Sequence, residues 1–175
     1  GGYAAYGFKD ESWKYGGTFI LTLHENSESK LHFLYTNDVI EKAGFSFYER
    51  LDISTTELFR KYIIKHMDKI EKQEVSFSFR AFDYLNTNIF LKNEIFQSTD
   101  DYLYLNKSGQ PNNRFTFTEV GIQLRHAYKE KYLQTDKYNF SMGTSYPVIL
   151  ANIAVGLPLY NGEYNYTRYE LKISD

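Results

Sequence analysis

Hydrophobic and polar residues alternate along most of the chain, in segments of about 8 to 12 residues separated by polar turns. The segment FTFTEVGIQLRHAYKEKYLQ (115–134) shows the alternation most clearly. Three aliphatic residues share one face of this predicted strand, and three strongly polar residues share the other. The aliphatic residues are Val120, Ile122 and Leu124, and the polar residues are Glu119, Gln123 and Arg125. The pattern predicts a strand with one apolar and one polar face.

The same segment changes phase partway along. Phe115 and Phe117 fall on the face of Glu119 and not on the face of Val120. An extra residue in one strand shifts the alternation in this way, so we predict a β-bulge between Thr118 and Val120.

Other alternating segments extend the pattern over the chain, and about nine strands are predicted in total. They lie around residues 3–8, 18–24, 31–35, 75–81, 85–92, 138–146, 148–156 and 164–173, with a short one near Phe45 and Phe47. The segment VILANIAVG (148–156) is almost wholly apolar. Consecutive strands joined by short turns favour an antiparallel meander. We therefore predict an all-β fold, a β-barrel or an open part of one with about 8–10 strands.

One segment has helical spacing instead. STTELFRKYIIKHMDKIEK (54–72) begins with Ser and Thr followed by Glu57, a pattern typical of a capping box. Apolar residues then recur three and four positions apart: Leu58, Phe59, Tyr62, Ile63, His66, Met67 and Ile70. We predict one inserted amphipathic helix, over about residues 54–70. It would pack on its own domain or offer the 54–72 segment to a protein partner.

The two-faced strands suit two different architectures. A soluble barrel would turn the apolar rows inward, whereas a barrel in a membrane would turn them toward lipid and its charges toward a lumen. In the membrane alternative, the candidate lumen-facing residues are Glu119, Gln123, Arg125, Arg80, Lys92 and Glu94. The candidate lipid-facing residues are Val120, Ile122, Leu124, Phe77 and Phe79. Aromatic residues also collect toward the strand ends, as in the girdles of membrane barrels.

Composition argues against several other classes. The formal net charge of −2 provides no cationic surface for nucleic acid, and the absence of cysteine removes thiolate catalysis and Cys-ligated metals. His24 and His32 could meet across a hairpin, but a zinc site needs a third ligand. A set of Ser141, His126 and Glu119 lacks a nucleophile turn. We predict a non-enzymatic protein with no catalytic, metal or cofactor-binding residues.

Four blocks of the sequence resemble one family of outer-membrane barrels. They are GGYAAYGFKDESWKYGG, FTFTEVGIQLRHAYKEKYLQ, GTSYPVILANIAVGL and EYNYTRYEL. In that family a secretion signal and a carboxypeptidase-regulatory-like β-sandwich precede a barrel that is described as a domain of unknown function. The barrel is similar, more distantly, to surface-antigen and assembly-factor barrels. Glu119 and Arg125 have the most family-like character.

The resemblance implies a location in the outer membrane of a Gram-negative bacterium and no peptidase activity. Family barrels continue beyond the equivalent of LKISD, where this chain stops. We therefore expect residues 1–175 to be one domain and part of a larger barrel, whose partners are outer-membrane lipid and the remaining strands. Its expected role is transport, reception or protein handling at the cell surface. The alternative is a soluble, lipocalin-like barrel that binds a small hydrophobic ligand.

Overall fold

The computed structural model describes residues 1–8, 11–24, 28–41, 67–98, 103–105, 109–134 and 139–174. These residues form twelve strand segments and no helix. The segments are β1 (Gly2–Gly7), β2 (Ser12–His24), β3 (Ser29–Glu41), β4 (Met67–Phe82), β5 (Leu85–Gln97), β6 (Tyr104–Leu105), β7 (Pro111–Asn112), β8 (Arg114–Ala127), β9 (Tyr132–Gln134), β10 (Asn139–Ser141), β11 (Val148–Gly156) and β12 (Tyr166–Ser174).

Eight strands form one antiparallel sheet in the order β1-β2-β3-β4-β5-β8-β11-β12. Neighbours in the sheet follow one another along the chain, apart from two short ribbons, β6–β7 and β9–β10, which lie in the connections on either side of β8. The predicted all-β antiparallel meander is therefore confirmed. Within the described residues the sheet is not closed, because β1 and β12 form its two edges and do not pair with each other.

One face of the sheet, here called the apolar face, is lined by aliphatic and aromatic side chains. Continuous pairing places one residue from each of six strands in a single row across it, because directly paired residues share a face. The row consists of Phe19, Phe33, Val75, Leu91, Val120 and Val155. Their exposed fractions range from 38% for Val120 to 62% for Phe19. A contiguous apolar surface is thus uncovered.

The opposite face, here called the polar face, contains most of the buried residues of the sheet. Glu119 is 4% exposed and Asn152 is 1% exposed, and Phe90 and Ala154 lie buried beside them. On the apolar face, the buried residues among the described strands are three threonines: Thr87, Thr116 and Thr118. The more exposed face is thus the apolar one, and the more buried face holds charged and amide side chains beside apolar ones, which differs from the usual distribution of a soluble sheet.

Aromatic rings cover glycines in three directly paired positions on the polar face. The pairs are Tyr3 with Gly16, Phe90 with Gly121, and Tyr166 with Gly156. A Cβ placed on Gly121 would lie 2.5 Å from the Phe90 ring and 2.7 Å from the Ile153 carbonyl oxygen. Glycine at these positions lets a neighbouring ring lie flat against the backbone.

The predicted helix is wrong over the part that the structure describes. Residues 67–72 belong to β4, where Met67 pairs with Glu41 and Ile70 pairs with Asp38. The rest of the predicted helix, and the short strand expected near Phe45 and Phe47, lie outside the described residues. Both faces of this end of β4 carry polar residues, so the two-residue alternation is lost and the helical spacing was misleading.

Two further expectations are corrected. The register of β8 with β5 is unbroken from Arg114 to His126, so there is no bulge near Thr118. The predicted strand over 138–146 is reduced to Asn139–Ser141, because the chain turns at Gly143, whose φ is +83°.

Candidate functional site: the polar face

The structure gathers the sequence-predicted residues into two sets on opposite faces. Lys92 on β5 pairs with Glu119 on β8. Arg80 on β4 pairs with Asn86 on β5, and Asn86 in turn pairs with Arg125 on β8. Glu94 and Gln123 lie on the same face, so all six candidate lumen residues share the polar face. All five candidate lipid-facing residues share the apolar face, namely Phe77, Phe79, Val120, Ile122 and Leu124.

A network of ion pairs centred on Glu119 crosses the polar face. The Lys92 Nζ lies 3.0 Å from Glu119 Oε2, and an Arg168 Nη lies 2.9 Å from the same oxygen. Lys92 also contacts Glu94 at 2.9 Å, and Arg168 contacts Glu170 at 2.8 Å. The Glu119 side chain is 5% exposed, so both of its cations neutralise a carboxylate that water scarcely reaches.

Gly156 admits a tyrosine to this network. Lys92, Glu119, Gly156 and Tyr166 occupy one row on four successive strands. Because Gly156 has no side chain, the Tyr166 ring lies across it, and the Tyr166 hydroxyl donates a hydrogen bond of 2.5 Å to Glu119 Oε1. Strands β5, β8 and β12 are thereby tied together through one carboxylate, across β11.

A row of amides lies next to the network. Asn88, Gln123 and Asn152 pair in register on three successive strands. Asn88 Nδ2 donates to Gln123 Oε1 at 3.2 Å, and Asn152 Nδ2 donates to Glu170 Oε2 at 3.3 Å. The Oδ1 atoms of Asn88 and Asn152 are buried without a protein donor. Buried acceptors of this kind usually receive a hydrogen bond from an ordered water.

The β9–β10 ribbon bends over the polar face at the end of the sheet where β8 stops, here called the hairpin end. Glu130, 9% exposed, accepts two hydrogen bonds from the Arg125 guanidinium, at 2.6 and 2.5 Å. Tyr132 and Ser141 donate to the same carboxylate at 2.6 and 2.5 Å. The Arg80 guanidinium lies 4.9 Å from the centre of the Tyr132 ring.

These donors hold Glu130 in its charged form. The hydrogen bonds from Arg125, followed by those from Ser141 and Tyr132, lower the pKa of Glu130 to about 2, even though burial opposes the shift. Glu130 therefore stays ionised across the physiological pH range.

Aromatic residues account for the phase change in β8. Phe115 and Phe117 lie on the polar face toward the opposite end of the sheet, here called the far end, and both contact Phe96. Phe117 also stacks on Tyr164, with ring centres 4.9 Å apart. The polar face is thus apolar at this end, which explains the phenylalanines without a bulge.

Aromatic residues also mark both ends of the apolar face. At the hairpin end, Tyr128 makes edge-to-face contacts with Tyr84 at 5.2 Å and with Tyr146 at 5.0 Å, and Lys129 lies over two of these rings. At the far end, a second set is exposed on β1 and β2: Tyr6, Trp13 and Tyr15. Tyrosine and tryptophan in these positions are typical of a boundary between apolar and aqueous surroundings.

The structure does not bring together the catalytic set or the histidine pair that the sequence suggested. His126 lies on the apolar face and Glu119 on the polar face, while Ser141 donates to Glu130. His24 pairs with Ser29, and His32 pairs with Ile20, so the two histidines do not face each other. Among the described residues no group of three or more His, Cys, Asp or Glu side chains could hold a metal ion.

Three contributors to the polar face were not among the predicted site residues. Tyr166 and Arg168 belong to β12, and only the sheet register places them beside Glu119. Glu130 lies in a connection, and its contact with Arg125 depends on how the ribbon folds back. No signal in the sequence identifies Glu130, whereas alternation within 166–172 could have identified Arg168.

No family model, curated protein or solved structure matches the chain. The resemblance to outer-membrane barrels therefore stays a prediction. In the described part of the chain, no helix has the length and apolar character needed to cross a membrane.

Proposed function

We propose that the chain is a non-enzymatic wall of an outer-membrane β-barrel, with its apolar face toward lipid and its polar face toward a hydrophilic lumen. The main support is the difference in exposure between the two faces: the apolar Val120 is 38% exposed, whereas its charged neighbour Glu119 is 4% exposed. In water an uncovered apolar surface of this extent is unfavourable, whereas in hydrocarbon it is the favourable surface. The role we propose is transport, reception or protein handling.

The height of the apolar face supports this proposal. From Val120 in β8 to Tyr128, just after the end of β8, there are eight residue steps, which span roughly 27 Å along the strand. At the tilt of roughly 40° that is usual in membrane barrels, this gives a height of about 21 Å, close to an apolar band of about 25 Å with an aromatic girdle at its edge. Beyond the band, the same face carries Gln73, Asn93 and Thr116, which suit the headgroup region.

The two sheet edges suggest what completes the barrel. The outer edges of β1 and β12 carry backbone groups that no other strand of the described sheet pairs with. In hydrocarbon each unpaired amide costs several kcal/mol, so a membrane barrel has to close. We propose that further strands of a parent barrel pair with both edges, in agreement with the resemblance of the sequence blocks.

The rival function is a soluble, lipocalin-like barrel with a small hydrophobic ligand. That protein would bury its apolar rows and expose Glu119, Gln123 and Arg125. The observed burial favours the membrane barrel instead. A partner-binding helix over 54–72 is also disfavoured, since residues 67–72 pair within the sheet.

Membrane fractionation combined with gel mobility tests the proposal. We expect the protein to partition with detergent-extracted membranes and to change its electrophoretic mobility after boiling, because a closed barrel resists the detergent until it is heated. A protein that is monodisperse in detergent-free buffer and shows one mobility would refute the proposed function.

A further inference from the structure

The polar face carries a row of cations at the hairpin end. Arg80, Asn86, Arg125, Leu150 and Lys172 pair in register on β4, β5, β8, β11 and β12. Three of the five are cationic, and none is acidic. Further along the face, by contrast, Lys92 and Arg168 are matched by carboxylates from the strands themselves.

The carboxylates that neutralise this row come from connections. Glu28, in the turn between β2 and β3, lies 2.7 Å from an Arg80 Nη, and Glu130 binds Arg125 from the loop after β8. Arg80 Nε is buried without a hydrogen-bond partner, so its guanidinium retains a free donor. The sheet thus supplies only cations here, and the acids are added from outside the sheet.

The path of the chain indicates that the β9–β10 ribbon does more than connect β8 with β11, because it also covers the row of cations. β8 and β11 are neighbours, so a direct connection between them would stay at their ends. The ribbon instead reaches back, with Tyr132 under the guanidinium of Arg80 on β4, two strands from β8. Its base is closed by backbone hydrogen bonds between Lys131 and both Met142 and Gly143.

We propose that the row of Arg80, Arg125 and Lys172 is a binding site for anionic solutes, carboxylates or phosphates, and that Glu130 is its built-in occupant. The inference rests on the proposed function, in which the polar face lines a lumen. The planar guanidinium of Arg125, which now holds Glu130 through two parallel hydrogen bonds, fits a carboxylate or phosphate ligand in the same way. Release of the ribbon opens the row to anions from the lumen.

Thiol labelling tests the site, since the chain has no cysteine of its own. Leu150→Cys places a thiol between Arg125 and Lys172, at a position that takes no part in the Glu130 contacts. Its rate of reaction is measured with two methanethiosulfonates of similar size, one carrying a sulfonate and one a trimethylammonium group. With Glu130 in place, both reactions should be slow.

In the Glu130→Ala background, the anionic reagent should react at least about tenfold faster, and the cationic reagent should gain much less, because two neighbouring cations attract one and repel the other. Inorganic phosphate should slow the anionic reagent by competition. Equal acceleration of both reagents, or no acceleration of either, overturns the proposal.

Two controls separate the site from general opening or unfolding. Lys131→Ala changes a charge in the same loop without touching the Glu130 contacts and should leave both rates unchanged. Thr36→Cys, on the polar face near the far end, should report equal rates with and without Glu130. If the protein fractionates as soluble, the proposed function fails, whereas the labelling ratio still decides whether the row binds anions.

Discussion

At the scale of single residues, the polar face depends on glycines, which leave room for a neighbouring aromatic ring. Gly121 and Gly156 let Phe90 and Tyr166 lie across the backbone, and the second of these rings carries the hydroxyl that reaches Glu119. Alternation in the sequence places Glu119 and Val120 on opposite faces, and the register of β8 does the same. Alternation could not predict that a glycine on the neighbouring strand admits a tyrosine from two strands away, because this depends on register between distant segments.

Gly121→Ala tests this role. Its Cβ would meet both a ring and the Ile153 carbonyl oxygen, and we expect the protein to lose about 1–3 kcal/mol of stability through overpacking. At Gly17 a Cβ would meet only the Gly1 carbonyl oxygen at 3.5 Å, so Gly17→Ala should change stability by no more than about 0.5 kcal/mol. The temperature at which the compact gel band disappears measures both variants. Equal stability of the two would contradict the proposed packing.

At the scale of elements, prediction succeeded where strands cross the apolar band and failed beyond it. The bounds of β11 match the predicted segment 148–156, whose apolar residues stand out between polar turns. Residues 67–72 of β4 are polar on both faces and are held by pairing with β3, a long-range interaction that local spacing does not reveal. Glu130 was missed for the same reason, since a ribbon folding back leaves no periodic signal.

A matched pair in β2 tests which face meets lipid. Leu21 lies on the apolar face, in the row of Ile122 inside the apolar band, and is 44% exposed. Its neighbour Ile20 lies on the polar face and is 52% exposed. Inside the hydrocarbon, Leu21→Arg should destabilise a membrane barrel by about 2–4 kcal/mol, whereas Ile20→Arg should be nearly neutral in a lumen. Urea titration of the protein folded into phospholipid vesicles measures the difference. A soluble sheet would tolerate both substitutions equally, and that result would count against the membrane assignment.

At the scale of the whole molecule, the apolar face of the sheet has aromatic residues at each of its two ends. Trp13, near the start of β2, and Tyr128, just after the end of β8, lie at opposite ends of the apolar face. The row that contains Leu21 and Ile122, inside the apolar band, lies between them. A sheet that spans a bilayer therefore has to place these three positions at three different depths, two shallow and one deep.

Fluorescence quenching by lipids brominated at defined depths measures these positions directly. Trp13 is the only tryptophan in the chain and serves as the native probe at the far end. Tyr128→Trp and Leu21→Trp, each combined with Trp13→Phe, report the hairpin end and the interior of the apolar band. We expect bromines near the headgroups to quench the first two probes best, and bromines deep in the acyl chains to quench the Leu21→Trp probe best. A sheet lying flat on the membrane would give similar depths for all three, and a sheet in water would give no quenching, so either result would exclude a spanning wall.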